Sequence, residues 1–187
     1  RLRLLNLFGP QRFGLGEKNI AVGRALVKHS FDEACSLLKL PVDGRDYVKA
    51  LRTFGHRRLR FFVHAYQSFL WNLVIQRLHL QSKLPPSVPV VGFLSGLSGD
   101  IGEAYADALK HEGVTPEDFL IRSLPDLASE GWERNAFVDV ELTSRWEIDE
   151  RHENKKKCTL SFFLPAGSYA TVVLAALFES YEEPSRG

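Results

Sequence analysis

Apolar and polar positions along the chain change rhythm twice, and the elements follow from those changes. Leu2, Leu4 and Leu5 open the chain as a short buried strand. The next hundred or so residues are dominated by helical spacing. Ile20, Gly23, Ala25, Leu26 and Val27 fall on the inner side of a helix over residues 19–28. Ser30-Phe-Asp-Glu33 has the capping-box spacing and predicts a second, short helix through Leu38. Residues 40–44 read as a turn and 46–53 as another short helical piece. The longest helix is expected over residues 58–79. It is apolar on most sides, with Phe61, Phe62, Val63, Phe69, Leu70, Trp71, Val74, Ile75 and Leu78, so it belongs in a core. A thin polar stripe of His64, Ser68, Asn72 and Gln76 recurs along one face of it. Such a stripe either lines a site or is satisfied within the core by its own members and nearby backbone. The chemistry alone favours the second, since a buried amide needs only a partner.

Residues 84–89 form a stiff proline linker, and 88–94 read as a short strand. Ser95-Gly-Leu-Ser-Gly-Asp100 places glycines before a helix over 101–112, but lacks the lysine and spacing of a phosphate-cradling loop, so it is a loop and cap. Thr115-Pro-Glu-Asp118 starts a further helix. From Ala136 the period becomes two. Val138, Val140, Leu142, Trp146 and Ile148 alternate with charged or hydroxyl residues, which predicts one half-buried strand. Cys158, Leu160, Phe162 and Leu164 repeat the pattern, and the charged stretch 149–157 connects the two as a hairpin whose lysines form a solvated tip. Pro165-Ala-Gly167 ends that strand, a helix follows over 168–179, and residues 182–187 are a frayed tail.

Composition narrows this picture. The chain has 187 residues, 44% hydrophobic and 25% charged, enough for one or two soluble domains with a core. With a net charge of +1, any affinity for nucleic acid must come from local patches. Cys35 and Cys158 make no disulfide scaffold and point to a reducing compartment. No apolar run reaches membrane-spanning length. Neither the histidines nor the cysteines show the ligand spacing of a zinc site. Methionine is absent altogether, which fits a fragment without its natural start, or a chain from which modified methionines and some loops have been dropped.

Two stretches carry candidate chemistry. In Asn6-Leu-Phe-Gly-Pro-Gln-Arg-Phe-Gly14, the Gly-Pro step ends regular pairing, which leaves a loop at the mouth of the first strand. Phe8 and Phe13 offer flat faces, Asn6 and Gln11 offer amides, and Arg12 offers a fork for phosphate or carboxylate. By chemistry alone, aromatics plugging the core account for this loop better. The second stretch is His56-Arg-Arg-Leu-Arg60, which runs into Phe61 and Phe62. Arg57, Arg58 and Arg60 could hold an RNA backbone beside stacking rings, although a solvated helix start explains them more simply.

The loop at Asn6–Gly14 resembles the signature loop of the TruD family of pseudouridine synthases. Arg60-Phe-Phe-Val-His-Ala-Tyr-Gln-Ser-Phe-Leu-Trp-Asn72 and Leu164-Pro-Ala-Gly-Ser-Tyr-Ala-Thr-Val-Val-Leu174 are similar to two further stretches of the family, in the same order. A weaker similarity runs over residues 90–114. The resemblance implies an α+β fold, a mixed sheet flanked by helices and interrupted by a largely helical insertion domain. Residues 1–31 and 143–187 would belong to the catalytic domain and 32–142 to the insertion.

By the same resemblance, the enzyme is a tRNA pseudouridine synthase. It turns a uridine flipped from folded RNA into pseudouridine with no cofactor and no metal, using an aspartate nucleophile. Asn6, Phe8 and Tyr169 match the family's substrate-contacting positions. The nucleophile's motif has no counterpart in the chain and is expected before Arg1, so the chain alone should be inactive. The expected partner is RNA, tRNA first, with no membrane; the protein is a monomer, intracellular, in the cytoplasm or, in a eukaryote, the nucleus. The alternatives are a non-catalytic RNA-binding fragment or paralogue and, behind it, a protein-interaction scaffold docking through the aromatic long helix.

Overall fold

The structure is a computed structural model that describes residues 1–179. The tail at 182–187, expected to fray, lies outside the described residues. In chain order the elements are strand β1 (Leu2–Leu5), helix α1 (Pro10–Phe13), a 3-10 turn (Leu15–Glu17) and helices α2 (Lys18–Val27), α3 (Phe31–Leu38), α4 (Tyr47–Phe54) and α5 (His56–Leu80). Strand β2 (Ser87–Val90), helix α6 (Gly99–Glu112) and 3-10 turns at Pro116–Phe119 and Pro125–Leu127 follow. Strands β3 (Trp132–Asn135), β4 (Phe137–Val140), β5 (Leu142–Ile148) and β6 (Lys156–Phe162) and helix α7 (Ala170–Glu179) complete it. The fold class is α+β, and every strand pairing among the described residues is antiparallel.

The chain forms two compact units, one of residues 8–136 and one of residues 1–7 with 137 onward. In the first, the 25-residue α5 is the axis. Its apolar positions bury Val63, Ala65, Tyr66, Leu70, Trp71, Val74, Ile75 and Leu78, and the Trp71 indole N–H donates to the Val88 carbonyl at 3.1 Å. Helix α2 lies against α5 backbone to backbone. A methyl on Gly23 would collide with the Phe62 carbonyl, so only glycine permits this approach. The approach is locked by one carboxylate. Glu112 of α6 accepts from Arg24 Nε at 2.6 Å, from its terminal nitrogen at 3.2 Å and from the Tyr66 hydroxyl at 3.0 Å. Burial, followed by the charge of Glu112, pushes the Tyr66 phenol well above its ordinary range.

Several expectations are corrected in this unit. The loop after β1 is not wholly irregular, because Pro10, with its fixed φ, starts the single turn α1. Ser30 precedes α3 as expected, but its side chain makes no capping bond. The capping box forms instead at Thr115 and Asp118, on a 3-10 turn. The strand expected to reach Leu94 stops at Val90. There Gly92 and Gly131 bring two backbones too close for any side chain, and Phe93 N–H turns to the Ser129 carbonyl at 2.9 Å.

In the second unit, β1 pairs with β4 from Leu2 opposite Val140 to Leu5 opposite Phe137, and β5 pairs with β6 from Leu142 opposite Phe162 to Ile148 opposite Lys156. The core is Val138, Val140 and Val173, with Leu4, Leu142, Phe162, Leu164 and Leu177 packed on it. The single strand expected from Ala136 to Ile148 divides at Glu141. Its outer apolar residues are not half-buried either: Trp146 is 66% and Ile148 81% exposed. Alternation marks a common face, and the core packed against that face reaches no further than Leu142 and Phe162.

Candidate functional site

The residues singled out in the sequence divide between the two units. Asn6 follows β1 and is 8% exposed. Across 162 positions of sequence, the Ser168 hydroxyl donates to its side-chain oxygen at 2.9 Å. Gly167, at φ 85°, makes the turn that presents Ser168, and the chain enters α7 at Ala170, two residues later. Tyr169 is half-buried, and its carbonyl accepts the first bonds of that helix, from Val172 at 3.1 Å and Val173 at 3.3 Å. The strand unit therefore gathers Asn6, Ser168 and Tyr169: an amide, a hydroxyl and a phenol, a set suited to reading the polar edge of a base while a ring supports its face.

In the helical unit, Phe8 is 7% exposed, packed edge-on to Trp71 with centroids 5.5 Å apart. The Arg134 guanidinium lies 4.0 Å above the Phe8 ring and 5.1 Å from Trp71, and Arg12 reaches both Phe8 at 5.8 Å and Phe61 at 5.1 Å. This is a layer of alternating cations and rings. The polar stripe of α5 underlies it. Asn72 accepts from Phe8 N–H and donates to Phe8 C=O, each at 3.0 Å. Ser68 accepts from Arg12 Nε at 3.3 Å and donates to the His64 carbonyl at 2.7 Å. Two members of the stripe are thus satisfied largely by backbone, as its chemistry alone suggested, but part of that backbone is distant in sequence: Asn72 holds Phe8 and Ser68 receives Arg12. Burial, then the charges of Arg12 and Arg60, push the His64 imidazole down to about 4, so it is neutral near pH 7.

Arg57, Arg58 and Arg60 stand exposed on the first turns of α5, with Arg58 5.5 Å over the Phe54 ring and Phe61 39% exposed beside them. Arg134, whose guanidinium lies over the Phe8 ring, was missed in the sequence. It sits in a short strand with no motif around it, and only the pairing of β3 with β2 places it. Gln67 was missed for a similar reason. It is fully buried and donates to the Ser129 hydroxyl at 2.9 Å, a bond that ties α5 to the Gly92–Gly131 crossing. Among the described residues no group of three or more histidine, cysteine or carboxylate side chains could hold a metal, and no helix is long and apolar enough to cross a membrane.

Comparison with known proteins shows what this chain resembles. The profile of a family described as TruD, tRNA pseudouridine synthase D, matches residues 75–177. A Methanopyrus kandleri protein named "Probable tRNA pseudouridine synthase D" is 34% identical over 150 residues, 72% of this chain and 36% of that protein. One of the same name from Methanosarcina acetivorans is 26% identical over 259 residues, covering 90% of this chain and 59% of that protein. The crystal structure of a Methanosarcina mazei protein assigned to tRNA pseudouridine synthase D superposes with a TM-score of 0.77 at 23% identity, over 91% of this chain and 60% of that one. At that identity the likeness speaks for the fold. The chain spans between about a third and three fifths of these relatives' length.

Proposed function

We propose a function for this chain on one premise: it belongs to the TruD family, tRNA pseudouridine synthase D, whose profile covers more than half of its residues. The polypeptide that contains it isomerises a uridine of a folded RNA, a tRNA first of all, to pseudouridine. An aspartate carboxylate N-terminal to Arg1 is the nucleophile. The carboxylate bonds to the sugar carbon as the bond from that carbon to the base nitrogen breaks; the base turns, one of its ring carbons displaces the carboxylate from the sugar carbon, and that ring carbon loses a proton to solvent while the freed nitrogen gains one. Atoms and electrons balance without a co-reactant.

In this reading Asn6 contacts the substrate, and Phe8 and Tyr169 supply the aromatic surfaces of the target site. Arg57, Arg58 and Arg60 hold RNA phosphates, which position the RNA without specifying its sequence. Residues 1–31 and 143–187 belong to the catalytic domain and 32–142 to its insertion. The protein works as a monomer inside the cell, in the cytoplasm or, in a eukaryote, the nucleus.

The observation that carries the proposal is the Ser168–Asn6 bond, because it ties two distant motifs of the family resemblance into one polar cluster. Two carboxylates within the chain make poor rivals for the nucleophile. Asp46 caps α4, accepting from Lys49 N–H at 3.0 Å, and Asp100 is paired with Lys83 at 2.6 Å. The test incubates a tRNA transcript with the full-length protein and with residues 1–187 alone, reading pseudouridine by carbodiimide-stop sequencing. The full-length protein is expected to form product, its aspartate-to-asparagine variant to form none while still binding RNA, and residues 1–187 to form none. Product from residues 1–187 alone would overturn the placement of the nucleophile, and no product from the full-length protein on any tRNA would overturn the function.

A further inference from the structure

We propose that Asn72 is the positioning residue of the signature loop, setting where Phe8 stands for the isomerisation; the role in catalysis rests on the function proposed above. Phe8 is buried, and the turn α1 begins only two residues later, at Pro10. The Phe8 N–H and C=O therefore belong to no helix or strand, and buried backbone groups need partners. Asn72 supplies both from one planar carboxamide, Oδ1 to the N–H and Nδ2 to the C=O, each at 3.0 Å and 64 positions away in sequence. Of the residues that fit this space, only asparagine presents a donor and an acceptor side by side with so few rotatable bonds.

The position on α5 matters as much as the side chain. Trp71, the preceding residue, is fully buried and its ring meets Phe8 edge-on, so the ring and the backbone of Phe8 are fixed by consecutive residues of one rigid helix. One turn earlier Ser68 accepts from Arg12, and Asn19 of α2 donates to the Arg12 carbonyl at 3.0 Å. The loop is thus seated at two points, with the tighter one at Phe8. Gln76, next on the same stripe, is exposed, so the stripe's polar character alone does not explain Asn72. A loop held at the main chain leaves its side chains placed without using their own polar atoms, which is what a substrate-contacting segment requires.

The test uses the full-length protein and three variants. Asn72→Leu fills the space and removes both bonds, Asn72→Asp keeps the acceptor but sets a carboxylate oxygen against the Phe8 carbonyl, and Asn72→Gln keeps donor and acceptor on a longer arm. In Asn72→Leu, residue-resolved hydrogen exchange at the Phe8 amide is expected to quicken by about tenfold or more while the amides of α5 keep their protection. On an unmodified tRNA transcript, kcat is expected to fall by about a hundredfold for Asn72→Leu and Asn72→Asp with KM within about threefold, and Asn72→Gln to recover part of kcat. Unchanged exchange at Phe8 in Asn72→Leu would overturn the clamp. So would uniform loss of protection along α5, which marks a residue that merely holds the fold. Faster exchange with unchanged kcat would overturn its role in catalysis. An inactive wild type would overturn the synthase reading and the catalytic role with it, while exchange at Phe8 would still decide whether the clamp exists.

Discussion

The two units use similar apolar residues to different effect. In the helical unit, α5 is surrounded: Trp71, Tyr66, Leu70, Ile75 and Leu78 are fully buried, and helices, 3-10 turns and the β2–β3 pair close over them. In the strand unit, full burial of apolar side chains among the described residues is confined to Val138, Val140 and Val173, while Trp146, Ile148, Phe163 and Phe178 are each at least 66% exposed. A helix can be covered from every side, whereas a two-stranded ribbon offers a face that only another layer can cover, and alone it is marginal. Stability therefore concentrates around α5, and the cluster of Asn6, Ser168 and Tyr169 stands on the more thinly packed unit. A site can tolerate that, because its residues are fixed by hydrogen bonds and a helix start more than by bulk packing.

Substitutions can break or sharpen this contrast. The largest effect is expected from Trp71→Ala, which removes a fully buried indole and its bond to Val88 and should cost about 3–5 kcal/mol in urea unfolding. A loss below about 1 kcal/mol would mean that the helical unit is not the stable one. Next comes Tyr169→Ala in the strand unit. It should weaken binding of the target RNA by about 1–3 kcal/mol, the range of one base–aromatic stack, and leave the unfolding midpoint nearly unchanged, whereas Tyr169→Phe keeps most of the affinity. Equal losses for the two would remove stacking from its role.

Third is the pH dependence of the helical unit. His64 titrates at about 4 when folded and at the ordinary imidazole value when unfolded, so the unfolded chain takes up the proton first as pH falls. The stability associated with neutral His64 is complete above about pH 6.5 and is lost progressively down to about pH 4, by on the order of 2 kcal/mol. His64→Leu should flatten this part of the stability–pH curve, and an unaltered slope would show that other groups set it. The smallest effect is expected from Ile148→Thr, which should shift stability by less than about 0.5 kcal/mol because the side chain is 81% exposed. A larger loss, measured by thermal unfolding, would mean that the hairpin face is covered in solution.

Much of this was legible in the sequence wherever the cause is local. The apolar run from Phe61 to Leu78 announced α5, and the change to a period of two after Ala136 announced the strands. Other features depend on what arrives from far along the chain. Nothing near Ser30 shows that its hydroxyl goes unused, and nothing near Gly92 shows that Gly131 will press against it. The Asn6–Ser168 bond and the Asn72 clamp are of this kind. Motif order brought Asn6 and the Ser168–Tyr169 stretch forward together, whereas the amide on the helix could be read only as needing a partner in the core, and which backbone it meets is set by the distant loop.

The carboxylate that locks α2, α5 and α6 also bears on how the chain folds. Arg24 and Glu112 are 88 residues apart, so the bond between them closes a long loop and is worth little until the intervening helices have condensed. Such a contact belongs to the late side of the folding barrier. Glu112→Gln should then quicken unfolding while leaving the refolding rate nearly unchanged, so that only the unfolding arm of a chevron plot moves. A slowed refolding arm would instead put this three-helix junction in the nucleus. The charged lock would thus act chiefly on the lifetime of the folded state, holding a helix pair together after the apolar collapse that first brings it into contact.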